Sequence, residues 1–125
     1  MPTLEAPIPL TAPSRTEHAP LKILIVDDDR TSARILSSIL RPEGYELTDV
    51  SSGEAALELY PVFLPDLVLL DVMMPGINGY ETCRTLKATY GQDCAPIIFI
   101  TAKSESDDVV EGLVAGGVDY VPKPF

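Results

Sequence analysis

The sequence predicts an α/β fold, a doubly wound, five-stranded parallel sheet with helices on both faces. Three observations predict it. From Leu21 onward, short β-branched runs alternate with amphipathic stretches, the pattern of βα units. Three of the five runs are almost wholly apolar, as strands covered on both faces must be. At 125 residues the chain holds one domain, and burying roughly two thirds of its unfolded surface gives it a core without disulfides or a structural metal.

The elements follow in order. Residues 1–20 contain five of the twelve prolines and no helical or strand periodicity, so a disordered Pro-rich leader is expected there, with the folded domain spanning 21–125. The runs Lys22 to Asp27, Glu46 to Val50, Leu67 to Asp71, Pro96 to Thr101 and Val118 to Pro122 read as strands. Between them, Ile35, Leu36, Ile39 and Leu40 share one helical face, Ser52 to Tyr60 forms a second, shorter helix, and Cys83, Leu86 and Tyr90 mark a third. Val109, Val110, Leu113 and Val114 mark a fourth. Ser51 or Ser52, Asn78, and Ser104 or Ser106 suit helix N-caps, while Gly44 and Gly116 suit C-termini. Pro61 and Pro65 are expected to end the second helix early. Right-handed crossovers then place helices on both sides of the sheet.

Composition narrows the function. Nineteen acidic against nine basic side chains give a formal charge of −10, and without the leader the domain still carries −9. Such a surface opposes phosphate backbones and anionic lipid, so neither direct nucleic-acid binding nor membrane binding is expected. Cys83 and Cys94 fit neither CxxC nor zinc spacing and no secretory signal precedes them, which favours plain thiols in the cytoplasm. The longest apolar runs are strand-sized, well short of the roughly 20 residues of a membrane helix. The sole histidine, His18, lies in the leader, which excludes a phosphohistidine-carrying role for the folded part.

Ligands of an open parallel sheet bind beyond the carboxyl ends of its strands. Those ends are polar here: Asp27, Asp28 and Asp29 follow the first strand, Asp71 ends the third, Thr101 the fourth, and Lys123 lies just past Tyr120 and the fifth. Carboxylates gathered from separate strands repel one another unless a hard divalent cation and a nearby lysine offset the charge. Mg²⁺ suits such a set and shares its remaining positions with phosphate oxygens, which points to phosphoryl chemistry with a carboxylate able to act as nucleophile.

The segments "LKILIVDDDR", "DLVLLDVMMPGINGYE", "PIIFITA" and "AGGVDYVPKPF" closely resemble the receiver domain of bacterial two-component response regulators over residues 21 to 125. The resemblance implies a flavodoxin-like sheet of order 2-1-3-4-5. It further implies Asp71 as phospho-acceptor, Asp27 and Asp28 as the acidic pair, Thr101 and Lys123 as phosphoryl partners, and Tyr120 as the switch aromatic. Mg²⁺ would be held by Asp28, Asp71 and the carbonyl of Met73, with Asp27 acting through a metal-bound water. The implied donor is a sensor histidine kinase, a phosphotransfer protein or a small acyl phosphate. The implied role is a signalling switch in a phosphorelay, catalysing only its own phosphorylation and dephosphorylation. In "MMPGIN", Pro75 presets one turn angle and Gly76 accepts a positive φ, so that the backbone passes close to the metal. Met73 and Lys103, two residues past Asp71 and Thr101, orient water poorly, and a long-lived phospho-Asp71 is expected.

The family's fifth helix, which follows the "KPF" segment, is missing, and Phe125 would border uncovered apolar surface. A shortened chain, the front piece of a longer protein with its output module cut away, or a homodimer through the fourth-helix/fifth-strand face would account for this. Three rivals remain. Asp27, Asp29 and Thr31 match the DxDxT pattern of a haloacid-dehalogenase-like phosphohydrolase, but a domain this small leaves little room for that family's core, and Asp71 would go unexplained. A flavin-binding flavodoxin lacks its Ser/Thr-rich phosphate loop here, and three consecutive acids would repel the flavin phosphate. A receiver-like interaction module that is never phosphorylated conflicts with the complete acidic set.

Overall fold

The computed structural model describes residues 19–101, 114–117 and 119–123. The elements are β1 (Lys22–Val26), α1 (Arg30–Leu40), β2 (Glu46–Val50), α2 (Gly53–Phe63), β3 (Leu67–Asp71), α3 (Gly79–Tyr90), β4 (Ile97–Thr101) and β5 (Asp119–Pro122). Short 3-10 turns at Arg41–Glu43 and Gly91–Asp93 follow α1 and α3. All strand pairs are parallel in the order β2-β1-β3-β4-β5, as the resemblance implies. The expected leader lies almost wholly outside the described residues, as do Val109, Val110, Leu113, Ser104, Ser106 and Phe125.

Strand side chains alternate between two cores. Leu24, Val26, Val68, Leu70, Ile97 and Phe99 pack with Ala56 and Tyr60 of α2 and Tyr80, Cys83 and Leu86 of α3. Ile23, Ile25, Leu69 and Ile100 face the other way, onto Ala33 and Leu36 of α1. Tyr60 knits the first core together. Its ring stacks on Tyr90 at 4.5 Å, and its hydroxyl accepts a hydrogen bond from Ala95 N at 2.7 Å.

Two helix expectations need correction. The face of α1 turned to the sheet is Ser32, Ala33 and Leu36, while Ile35 and Ile39 are 43% and 50% exposed. They form a separate i, i+4 stripe beside the buried one. On the same side of the sheet, Leu21, Ile23, Leu40, Tyr45, Asp66, Leu67 and Leu69 line a groove of about 240 Å³. Pro61 does not end α2, which runs to Phe63 and closes with Leu64 N donating to Tyr60 O. Proline lacks one donor, but near a helix C-terminus the following residues still complete their own bonds.

The caps agree more closely. The Ser52 hydroxyl accepts from Ala55 N at 3.0 Å, and Asn78 and Glu81 form a reciprocal capping box on α3. Gly44 takes φ +89° after the turn that follows α1, and Gly116 takes φ +111°.

Leu64 caps α2 in the left-handed region, at φ 53° and ψ 66°, with 61% of its surface exposed. A side chain there is strained, and glycine is the usual occupant. Leu64→Gly is expected to stabilise the domain by about 1 kcal/mol, because little packing is lost and the strain of roughly that size is relieved. Urea denaturation measures it, and an unchanged or lower midpoint contradicts the assignment.

Candidate phosphoryl-transfer site

The site is built by adjacent strands. β1 and β3 pair with Val26 opposite Leu70, so the residues that follow, Asp27 and Asp71, emerge side by side at the carboxyl edge. β5 reaches the same edge two strands away and delivers Lys123. The Lys123 ammonium lies 3.1 Å from Asp27 Oδ2 and 3.5 Å from Asp71 Oδ2. Asp27 and Asp71 are both buried, and Asp28 is exposed at the rim. Carboxylate oxygens of Asp27, Asp28 and Asp71 all lie within 4.8 Å of one another.

Each acid of the "DDD" run has a distinct task. Asp29 caps α1, its carboxylate accepting from Thr31 N at 2.9 Å and from Ser32 N at 3.4 Å. These backbone hydrogen bonds hold its carboxyl below the usual range. Those bonds engage Asp29 with the start of α1 rather than with the Asp27–Asp71 pair. Asp27 Oδ1 accepts from Asp29 N at 2.9 Å, whereas its fully buried Oδ2 makes no hydrogen bond among the described residues and faces the Lys123 ammonium.

The two buried acids share one cation. Burial first, then the charge of the adjacent Asp27 carboxylate, pushes the Asp71 carboxyl up to about 7, against the pull of Lys123. Burial alone would lower Lys123, but its ion pairs with Asp27 and Asp71 outweigh it and raise its pKa. A buried oxyanion atom without a hydrogen bond, next to two further carboxylates, fits a hard divalent ion such as Mg²⁺.

The structure therefore brings together four of the expected residues, Asp27, Asp28, Asp71 and Lys123. Met73 follows on the same loop and is 58% exposed. Thr101 ends β4 opposite Pro122, and Tyr120 pairs with Phe99, but the side chains of both lie outside the described residues. Lys103 lies outside them entirely.

Sequence reasoning missed two contributors. Arg30 donates to the Asp27 carbonyl at 2.6 Å and to Asp49 Oδ2 at 3.1 Å, tying the end of β1 to β2. Gly79 packs against the Asp71 carbonyl so tightly that a Cβ would overlap it, and its N–H donates to Val72 O at 2.9 Å. No periodicity marks Arg30. The missing side chain was the available signal for Gly79.

Fold and edge together define a class of α/β signalling proteins, those with an acidic pocket and a lysine at the carboxyl end of a 2-1-3-4-5 sheet. Residues 23–125 match the response regulator receiver domain, and the chain belongs to that family. The DNA-binding response regulator MtrA of Mycolicibacterium smegmatis is 47% identical over 104 residues, covering 83% of this chain and 44% of that protein. The chain thus spans less than half the length of this curated relative. Among solved structures, a Chloroflexus aurantiacus protein described as a response regulator is 40% identical with a TM-score of 0.81, covering 86% of this chain and 88% of that one. Chemotaxis protein CheY4 of Vibrio cholerae is 28% identical, also with a TM-score of 0.81, covering 86% and 89%.

The relatives correct the expected partner set, which left out nucleic acid: several curated ones, MtrA among them, are named as DNA-binding response regulators. The acidic surface describes the receiver alone. It carries no information about the more than half of each relative that lies beyond the match. Receivers are signalling modules, and no helix among the described residues is long and apolar enough to cross a membrane.

The raised Asp71 pKa has a consequence for stability. The unfolded carboxyl titrates near 3.8 and the folded one near 7, so between those values the folded state holds the extra proton. Stability must then fall as pH rises through that window. In EDTA, urea midpoints are expected to decline from about pH 4 to about pH 7, and Asp71→Asn should flatten the decline. An equal slope in the variant would rule out Asp71 as its source.

Proposed function

We propose that Asp71 accepts a phosphoryl group in a Mg²⁺-dependent reaction, as the input step of a two-component phosphorelay. The observation that carries this reading is the convergence of three carboxylates within 4.8 Å, with Lys123 3.1 Å and 3.5 Å from the two buried ones. An Asp71 oxygen attacks phosphorus, and the P–N bond of a histidine kinase or phosphotransfer protein, or the P–O bond of an acyl phosphate, breaks. The departing imidazole or carboxylate keeps the bonding pair. Magnesium held by Asp28, Asp71 and the Met73 carbonyl, with Asp27 acting through a metal-bound water, would neutralise charge on the transferring oxygens.

The protein's own groups do the rest. Lys123, a compact cation, supports the transferred oxygens and keeps Asp71 and Asp27 from repelling each other outright. Arg30 and Gly79 fix the backbones of Asp27 and Asp71, so the reacting oxygen is positioned in advance. Thr101 would then bond a phosphoryl oxygen, and Tyr120 would follow it, altering the surface next to β5. In the protein that carries it, this receiver controls an output, which by the names of its relatives is DNA binding. A cytoplasmic location goes with that reading.

The test is intact mass after incubation with acetyl phosphate. One phosphoryl group is expected on the native chain with Mg²⁺, and none on Asp71→Ala or in EDTA. A phosphoryl group retained on Asp71→Ala refutes the acceptor assignment. Absence of any adduct in folded native protein favours an interaction module that is not phosphorylated.

Lifetime is a separate matter. We assign slow hydrolysis to Met73 and Lys103, because a thioether and a protonated amine orient an attacking water poorly. Met73 is exposed, so its replacement should leave the fold intact. Met73→Asn supplies an amide beside the acceptor and is expected to shorten the life of phospho-Asp71. Decay followed by mass after removal of the donor checks this, and an unchanged rate overturns it.

A further inference from the structure

The segment between Asp71 and α3 is pinned at both ends. Gly79 N–H donates to Val72 O, and the capping box of Asn78 and Glu81 fixes the start of α3. Its tip is held from a different element. In the first turn of α2, Glu54 Oε2 accepts a hydrogen bond from Ile77 N at 3.2 Å. The same carboxylate lies over Gly76, whose φ is +79°, and a Cβ built there would stand 2.5 Å from it. The neighbouring Gly53 lets α2 approach so closely that a Cβ would overlap Thr82 Oγ1 and the Ile77 side chain. The start of α2 and the loop tip therefore fit against each other, and Gly76 and Gly53 supply the room.

We propose that Glu54 is a positioning residue for Asp71, acting through the loop 73–78. The path is short: Glu54 holds Ile77 and Gly76, and their loop runs from Asp71 through Met73 to Gly79, which packs directly against the Asp71 carbonyl. Releasing the tip lets Met73 drift relative to Asp71, which loosens the oxygens that hold the cation. Glu54 is exposed and contributes nothing to either core, so its removal should leave the fold intact, at a small cost in stability from the lost bond and first-turn charge. The inference deepens the Asp71 reading and rests on it.

The experiment compares the full chain with Glu54→Ala and Glu54→Gln. Mg²⁺ affinity is read by calorimetry, the Ile77 amide by hydrogen exchange, and phosphorylation by acetyl phosphate as a function of Mg²⁺. Loss of one hydrogen bond to a charged acceptor predicts Mg²⁺ binding about threefold to tenfold weaker in Glu54→Ala. Ile77 should exchange faster, the urea midpoint should fall only slightly with the protein still folded, and the phosphorylation rate should recover at saturating Mg²⁺. Glu54→Gln keeps an acceptor oxygen and should behave nearly as the native chain. Unchanged affinity in Glu54→Ala, or Glu54→Gln as weak as Glu54→Ala, overturns the inference. A native chain that neither binds Mg²⁺ nor takes up a phosphoryl group defeats the Asp71 reading instead, before Glu54 enters.

Discussion

Two carboxylates buried side by side around one ammonium are the constraint on which the rest of this domain depends. Asp27 and Asp71 sit at the ends of neighbouring parallel strands, where the topology leaves them no room to separate. A buried carboxylate is costly unless it is paired, and a buried pair of them doubly so. Lys123 meets both, but one ammonium against two acids leaves the edge short of positive charge. The rise of Asp71 to about 7 expresses its burial first and that shortage second, and a divalent cation would relieve the shortage. The domain keeps a destabilising feature at one edge and compensates with apolar strands that pack on both faces.

The surroundings of the pair serve to hold it. Asp29 is withdrawn from the cluster to cap α1, and its own N–H returns to Asp27 Oδ1. Arg30 then grips the Asp27 carbonyl and reaches Asp49 on β2, so the end of β1 is fixed from its backbone as well as its side chain. On the other side, Gly79 allows α3 to start directly against the Asp71 carbonyl. Electrostatic preorganisation of this kind is effective because the groups do not have to move when charge develops.

How much of this could be read in the sequence depends on whether the signal was local. Strands covered on both faces announce themselves as apolar runs, so β1, β3 and β4 and their acidic or hydroxyl ends were legible, and the sheet order came with the family resemblance. Ser52 and Asn78 were legible as caps because capping chemistry spans three residues. The facing of α1 was not, since Ile35 and Ile39 are as apolar as Leu36 and only the sheet decides which stripe it covers. Pro61 misled because a proline's effect depends on how near it stands to the helix end. Asp29 offered a cap signal that the neighbouring acids obscured. Glu54 had no signal at all, because its bond to Ile77 joins positions 23 residues apart.

The same distinction explains why charge misjudged the partners. A net charge is a sum over one surface, and here the acids have a local purpose: several must crowd one edge if a cation is to be held there. The relatives named as DNA-binding extend well beyond the residues matched, so affinity for a phosphate backbone can reside on a surface of different composition.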